Sequence, residues 1–166
     1  MKKKPVLALI FLIAVVLTAG FSAASQVAYI HLKNRAANSK TFTTANENVL
    51  AELKNAFIAA NAKIVQEDSL QFTAELPNSL WAWERKDGEP DNPKAIVVIN
   101  KKYDIGANQV KKPKSVTTIW VASIAADKKS YSIKLQDVLS IYPGNTKTNT
   151  GYTTGLFEDK IAGLVK

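Results

Sequence analysis

The chain has 166 residues with no cysteine, one histidine, 22 basic and 14 acidic side chains, and a formal charge of +8. The lack of cysteine excludes disulfides, thiolate metal sites, a cysteine nucleophile and a lipid-modified N-terminal cysteine, so the domain must be held by packing alone. With 46% hydrophobic and 22% charged residues, the composition is that of an ordinary globular chain, neither disordered nor multi-spanning.

Residues 1–24 read as an export signal. Lys2, Lys3 and Lys4 supply a positive start, and Val6 to Ala19 form an apolar run broken only by Thr18. Ser22-Ala23-Ala24 then places small side chains where a signal peptidase needs them, for a cut after Ala24. The rival reading is an uncleaved anchor extending to about residue 30, since roughly 20 apolar residues span a bilayer. Both readings send the rest of the chain outward, because the lysines hold the N-terminus in the cytoplasm. A pilin-type leader is excluded, for Ser25 stands where that leader requires Glu. Removal of residues 1–24 leaves a net charge of +5, enough for weak attraction to anionic surfaces. The lysines are scattered and only Arg35 and Arg85 are arginines, so no nucleic-acid site is expected.

Residues 25–43 read as a linker or edge segment, and 44–166 as a single α+β domain. Thr44-Ala-Asn-Glu47 fits a capping box. Behind it Val49, Leu50, Leu53, Ala56, Phe57 and Ala60 form one apolar stripe, predicting a helix from about Ala45 to Asn61. Lys63 to Gln66 and Leu70 to Leu76 predict a hairpin turning at Glu67-Asp68-Ser69, with Leu70, Phe72, Ala74 and Leu76 on one face. Trp81 and Trp83 begin another strand with both indoles on the same side. Residues 87–93 combine turn formers with two prolines and are irregular.

Ala95 to Ile99 is apolar and β-branched and reads as a central strand, and Lys101 to Ser115 as a long connection. Val116 to Ile124 and Ser130 to Leu135 predict a hairpin joined at Ala126 to Lys129. Gln136 to Tyr142 fits either a short helix or a sixth strand. Pro143 to Gly155, rich in Thr, Asn and Gly, reads as a loop long enough to be functional or mobile. Leu156, Phe157, Ile161, Leu164 and Val165 predict a closing helix. The expected fold is an antiparallel sheet of about five or six strands, with the N-terminal amphipathic helix and the C-terminal helix on one face.

Chemistry-bearing patterns are sparse. His31 lies beside the apolar segment, away from hydroxyl or acidic partners, and reads as a linker residue rather than part of a triad or zinc site. Asp87, Glu89 and Asp91 alternate as at the start of a calcium loop, but the later Gly and bidentate Glu are missing, so they read as a solvated acidic turn. A hydrolase would need at least two of Glu75, Glu84, Asp87, Glu89, Asp104 and Asp137 to converge. No Ser sits in a nucleophile elbow, and no metal or cofactor is expected. Lys101, Lys102, Lys111, Lys112 and Lys114 form the densest basic stretch, which reads as a solvated connection.

Trp81, Trp83 and Trp120 offer either an aromatic platform or core packing. The candidate binding site is the Trp81/Trp83 face together with Tyr152 and Lys147 of the polar segment. The expected role is a non-enzymatic binding or accessory module in the periplasm or outside the cell. Its partner would be another envelope protein or an extracytoplasmic ligand, with membrane contact only if the N-terminal segment stays uncleaved. An exported inhibitor or immunity protein and a small exported hydrolase are the alternatives.

Overall fold

The computed structural model describes residues 38–85, 88–100, 112–149 and 151–165, all within one compact unit, Ala36–Lys166. The export segment and His31 lie outside the described residues. The architecture is mostly antiparallel sheet with two helices, an α+β arrangement. In chain order the elements are β1 (Ser39–Thr43), α1 (Val49–Ala59), β2 (Lys63–Glu67), β3 (Gln71–Leu76), β4 (Trp81–Trp83), β5 (Val97–Ile99), β6 (Ser115–Ile124), β7 (Ser130–Tyr142), β8 (Asn145–Asn149), β9 (Gly151–Thr153) and α2 (Leu156–Ala162).

Six strands form one antiparallel sheet in the order β1-β7-β6-β3-β2, and β8 pairs with β7 beyond the end of β1. Alternation decides which side chains enter the core. Phe72, Ala74 and Leu76 of β3 stand opposite Ala122, Trp120 and Thr118 of β6, and all six are buried. The intervening residues of both strands are half-buried or exposed, as in a sheet with one wet face. Leu70 falls outside this set: β3 begins at Gln71, and Leu70 is an exposed turn residue. Asp68 makes that turn, its carboxylate accepting from the Leu70 and Gln71 N–H groups at 2.8 and 2.9 Å.

The apolar stripe of α1 buries Val49, Leu53, Ala56 and Phe57 against the inner face of the sheet. The helix starts four residues later than the capping-box pattern predicts. Thr44 Oγ1 accepts from the Asn46 N–H and Asn46 Oδ1 from the Asn48 N–H. Thr44 thus commits both groups a capping box would need, its hydroxyl to Asn46 and its N–H to the Lys129 carbonyl, and the Asn46 turn carries the chain on to the later start. At its other end the Ala62 N–H bonds the Phe57 carbonyl and the Asn61 N–H that of Ile58. This closure needs a left-handed residue, supplied by Asn61 at φ +66°.

The predicted hairpin of β6 and β7 forms, turning through Ala125 to Ser130 with Lys128 at φ +56°. Gln136 to Tyr142 is neither a helix nor a separate strand but the second half of β7. The register slips between Ile119 and Trp120, whose partners are Asp137 and Leu135, so Gln136 is an inserted bulge residue. Burial accordingly changes phase: Tyr131, Ile133 and Leu135 point inward before the bulge, Val138 and Ser140 after it.

The segment Pro143 to Gly155, expected as a loop, contains β8 and β9. β9 belongs to a second sheet of three strands, β4-β5-β9, in which β4 and β5 run parallel. β5 is its central strand and is wholly buried. Val97 and Ile99 from this sheet join the same core as α1, α2 and the inner face of the large sheet.

β9 passes very close to β5. A Cβ at Gly151 would stand 2.7 Å from the Val98 carbonyl oxygen and 3.3 Å from Val138 Cγ2, closer to backbone than real side chains approach. We expect Gly151→Ala to destabilise the fold by roughly 1–3 kcal/mol through forced displacement of β9, measured as a lower denaturant midpoint at unchanged slope.

Candidate functional site

The small sheet supports the aromatic pair. Trp81 and Trp83 are two residues apart on β4 and so project to one side. Their rings meet edge to face, centroids 5.1 Å apart at 87°, a favoured aromatic geometry. Both are half-buried and pack against the rim of the core. Ala82 between them is fully buried on the opposite face.

Asp91 fixes the strand that carries them. Its carboxylate accepts the Trp83 N–H at 2.9 Å and its own N–H donates to the Trp83 carbonyl at 3.0 Å. The acidic turn thereby acquires a structural task, clamping the backbone of β4. Glu89 and Asp91 are exposed, and Asp87 lies outside the described residues. Among the described residues no three His, Asp or Glu side chains gather as a metal site requires.

Register separates Tyr152 from the tryptophans. Ala82, Val98 and Tyr152 stand side by side across the small sheet, so Tyr152 projects from the face opposite Trp81 and Trp83. Its hydroxyl donates to the Gly88 carbonyl at 2.9 Å, fastening the β4–β5 connection. Lys147 stands on β8 of the large sheet, with Nζ 5.8 Å from the Tyr142 ring centre. Of the four candidate residues, the structure joins Trp81 and Trp83 in direct contact, sets Tyr152 behind them and places Lys147 on the other sheet.

Trp120 is a core residue. It is fully buried, packs on Phe157 with centroids 4.6 Å apart and the rings tilted by 37°, and donates from Nε1 to Thr118 Oγ1 at 2.7 Å. Thr118 Oγ1 also lies 2.7 Å from Ser79 Oγ, which reaches the Leu76 carbonyl at 2.8 Å. This chain of hydroxyls satisfies the indole N–H inside the core.

The acidic candidates fall into two groups. Glu75 and Asp137 both stand opposite Ile119, on either side of β6, and so share the outer face about 10 Å apart along the pairing direction. Glu84 and Glu89 belong to the β4–β5 region, and Asp104 lies outside the described residues. Lys101, Lys102 and Lys111 also lie outside them, whereas Lys112 and Lys114 are exposed. Acidic and basic side chains balance among the described residues, so the positive surplus of the chain is carried entirely by the others.

Sequence reasoning passed over Glu158, which is fully buried in α2. Burial raises its pKa above the ordinary glutamate range, against the opposing effects of its own N–H, the Thr153 hydroxyl and Lys40. Nothing in its sequence context marks it, since an acid in the first turn of a helix is ordinary.

No protein-family model matches the chain, and no curated protein is significantly similar to it. Function must therefore be inferred from the site itself. Half-burial of one pair of indoles and complete burial of the third has an optical consequence. With Trp81 and Trp83 both changed to Phe, the remaining emission is expected to be blue and resistant to acrylamide; Trp120→Phe leaves emission that acrylamide quenches.

Proposed function

We propose that this chain is an exported, non-enzymatic binding or accessory module of the cell envelope or periplasm. The Trp81/Trp83 pair is the centre of its recognition surface. The observation that carries this reading is the edge-to-face contact of two half-buried indoles on a rigid strand. Rigid, partly open aromatics are the side chains that dominate binding energy at recognition surfaces. Packing on the core and the Asp91 clamp hold them in place before any partner arrives, which lowers the entropy cost of binding.

The residue pattern of 1–24 is the basis for export, and the mature chain is proposed to begin at Ser25. A protein partner is favoured over a small ligand by β1. Among the described residues no strand lies on its outer side. The Thr44 N–H bonds Lys129 and the Leu135 N–H bonds the Asn38 carbonyl, so alternation turns the backbone groups of Ser39, Thr41 and Thr43 outward. Such an edge accepts an added strand. This is compatible with an inhibitor or immunity protein directed at an envelope enzyme.

Affinity capture from an envelope extract tests the proposal. The wild-type chain is expected to retain a partner that Trp81→Ala and Trp83→Ala each weaken by about thirtyfold or more, the cost of truncating an aromatic anchor. Circular dichroism would verify that both variants remain folded. Absence of any captured protein, together with no ligand-induced shift in Tm, would sink the proposal. N-terminal sequencing of the exported protein tests the cut before Ser25.

A further inference from the structure

Glu158 is the only fully buried carboxylic acid among the described residues. Its Oε2 lies 2.8 Å from the Thr153 hydroxyl, and its Oε1 has no hydrogen-bond partner. The Thr153 oxygen is shared three ways. The Gly155 N–H donates to it at 3.0 Å, and the Ile96 carbonyl lies 3.4 Å away.

A hydroxyl has one hydrogen and two lone pairs to distribute. If Glu158 is protonated, its O–H and the Gly155 N–H fill the lone pairs while the Thr153 hydrogen turns to Ile96. If Glu158 is ionised, it claims that hydrogen, and Oε1 becomes part of a charge closed off from water. Buried charge without full compensation is strongly unfavourable, and the cheapest relief is local movement that lets water in.

We propose that Glu158 is a proton-operated latch for α2: protonated, it fastens the helix to β9, and ionised, it drives the helix to open about the Thr154–Gly155 joint. Thr154 anchors the β9 side of the joint, its N–H and hydroxyl donating to the Ile96 and Ala95 carbonyls at 3.2 and 2.7 Å, and Gly155 at φ +85° supplies backbone freedom on the helix side. α2 has only seven residues. It is held to the body by Ile161, by contacts of Phe157 with Phe57 and Trp120, and by an exposed ion pair from Lys40 to Asp159 at 2.5 Å.

The charged groups acting on Glu158 are Lys40 from β1, which favours the anion, and Asp159 from its own helix, which disfavours it. From α1, β6 and β9, Phe57, Trp120 and Thr153 face α2, and none of them carries a charge. Burial outweighs the Lys40 attraction, so the folded-state pKa is raised. A raised acid pKa contributes stability that is fully present below the ordinary glutamate value and is lost as pH rises through the raised one. The latch is therefore tight in acid and loosens toward neutral and alkaline pH.

Hydrogen exchange of residues 156–162, corrected for intrinsic rates and followed from about pH 4 to about pH 8, tests the latch around the ordinary glutamate pKa. Protection in the wild type is expected to fall with rising pH by up to about tenfold per unit, whereas Glu158→Gln should give a flat profile. Carbon-13 NMR of the Glu158 carboxyl in the wild type gives a second readout that does not depend on the variant folding. A midpoint above the ordinary glutamate value supports the latch. Flat wild-type protection, an equal decline in Glu158→Gln, or a midpoint at or below the ordinary value would overturn it.

Discussion

The insertion of one residue into β7 organises the two sheets of the domain. β7 pairs with β6 along one side and with β1 and then β8 along the other, so its side chains face every layer. The bulge at Gln136 turns both Gln136 and Asp137 outward. Tyr131, Ile133 and Leu135 can then share the inner face with Val138 and Ser140. Without it, Val138 would turn outward and Leu139 and Ile141 inward, and the second half of the sheet would present the wrong face to β9 and the helices. A bulge also adds local twist, here two residues before Val138, whose side chain lies against β9 at Gly151.

Much of the frame was legible in the sequence because one-sided burial imprints a period. β3 and β6 alternate cleanly since only one of their faces is covered, and α1 repeats every three to four residues for the same reason. The illegible parts share a cause. The bulge breaks the alternation of β7, so Gln136 to Tyr142 fits no period. β8 is exposed along most of its length and is held by backbone pairing, which leaves no mark on side-chain choice. β4 and β5 have three residues each, too few to show that they run parallel. Of the candidate site, the Trp81/Trp83 pairing followed from spacing alone, whereas the position of Tyr152 depends on a three-strand register that no local pattern encodes.

Two carboxylates respond to acid in opposite senses. Asp68 is fully exposed, and its pKa is lowered chiefly by the Leu70 N–H and then by the Gln71 side chain. Its contribution is present above the ordinary aspartate range and lost as pH falls through the lowered value. Glu158, inside the core, behaves conversely. The difference lies in burial: a turn offers Asp68 its donors beside water, whereas Glu158 is shut away from water, and its own N–H and the Thr153 hydroxyl do not offset that burial while Oε1 stays without a partner.

The frame beneath the tryptophans is assembled from distant parts of the chain. Thr153 meets Ile96 across 57 residues, Tyr152 meets Gly88 across 64, and Lys40 meets Asp159 across 119. Closing such loops is slow compared with forming a hairpin. The three-stranded platform is therefore expected to form after β6 and β7 have met through their short turn. The orientation of the indole pair is thus a property of the completed chain, since the strands that fix it are drawn from the middle and the C-terminal end of the domain.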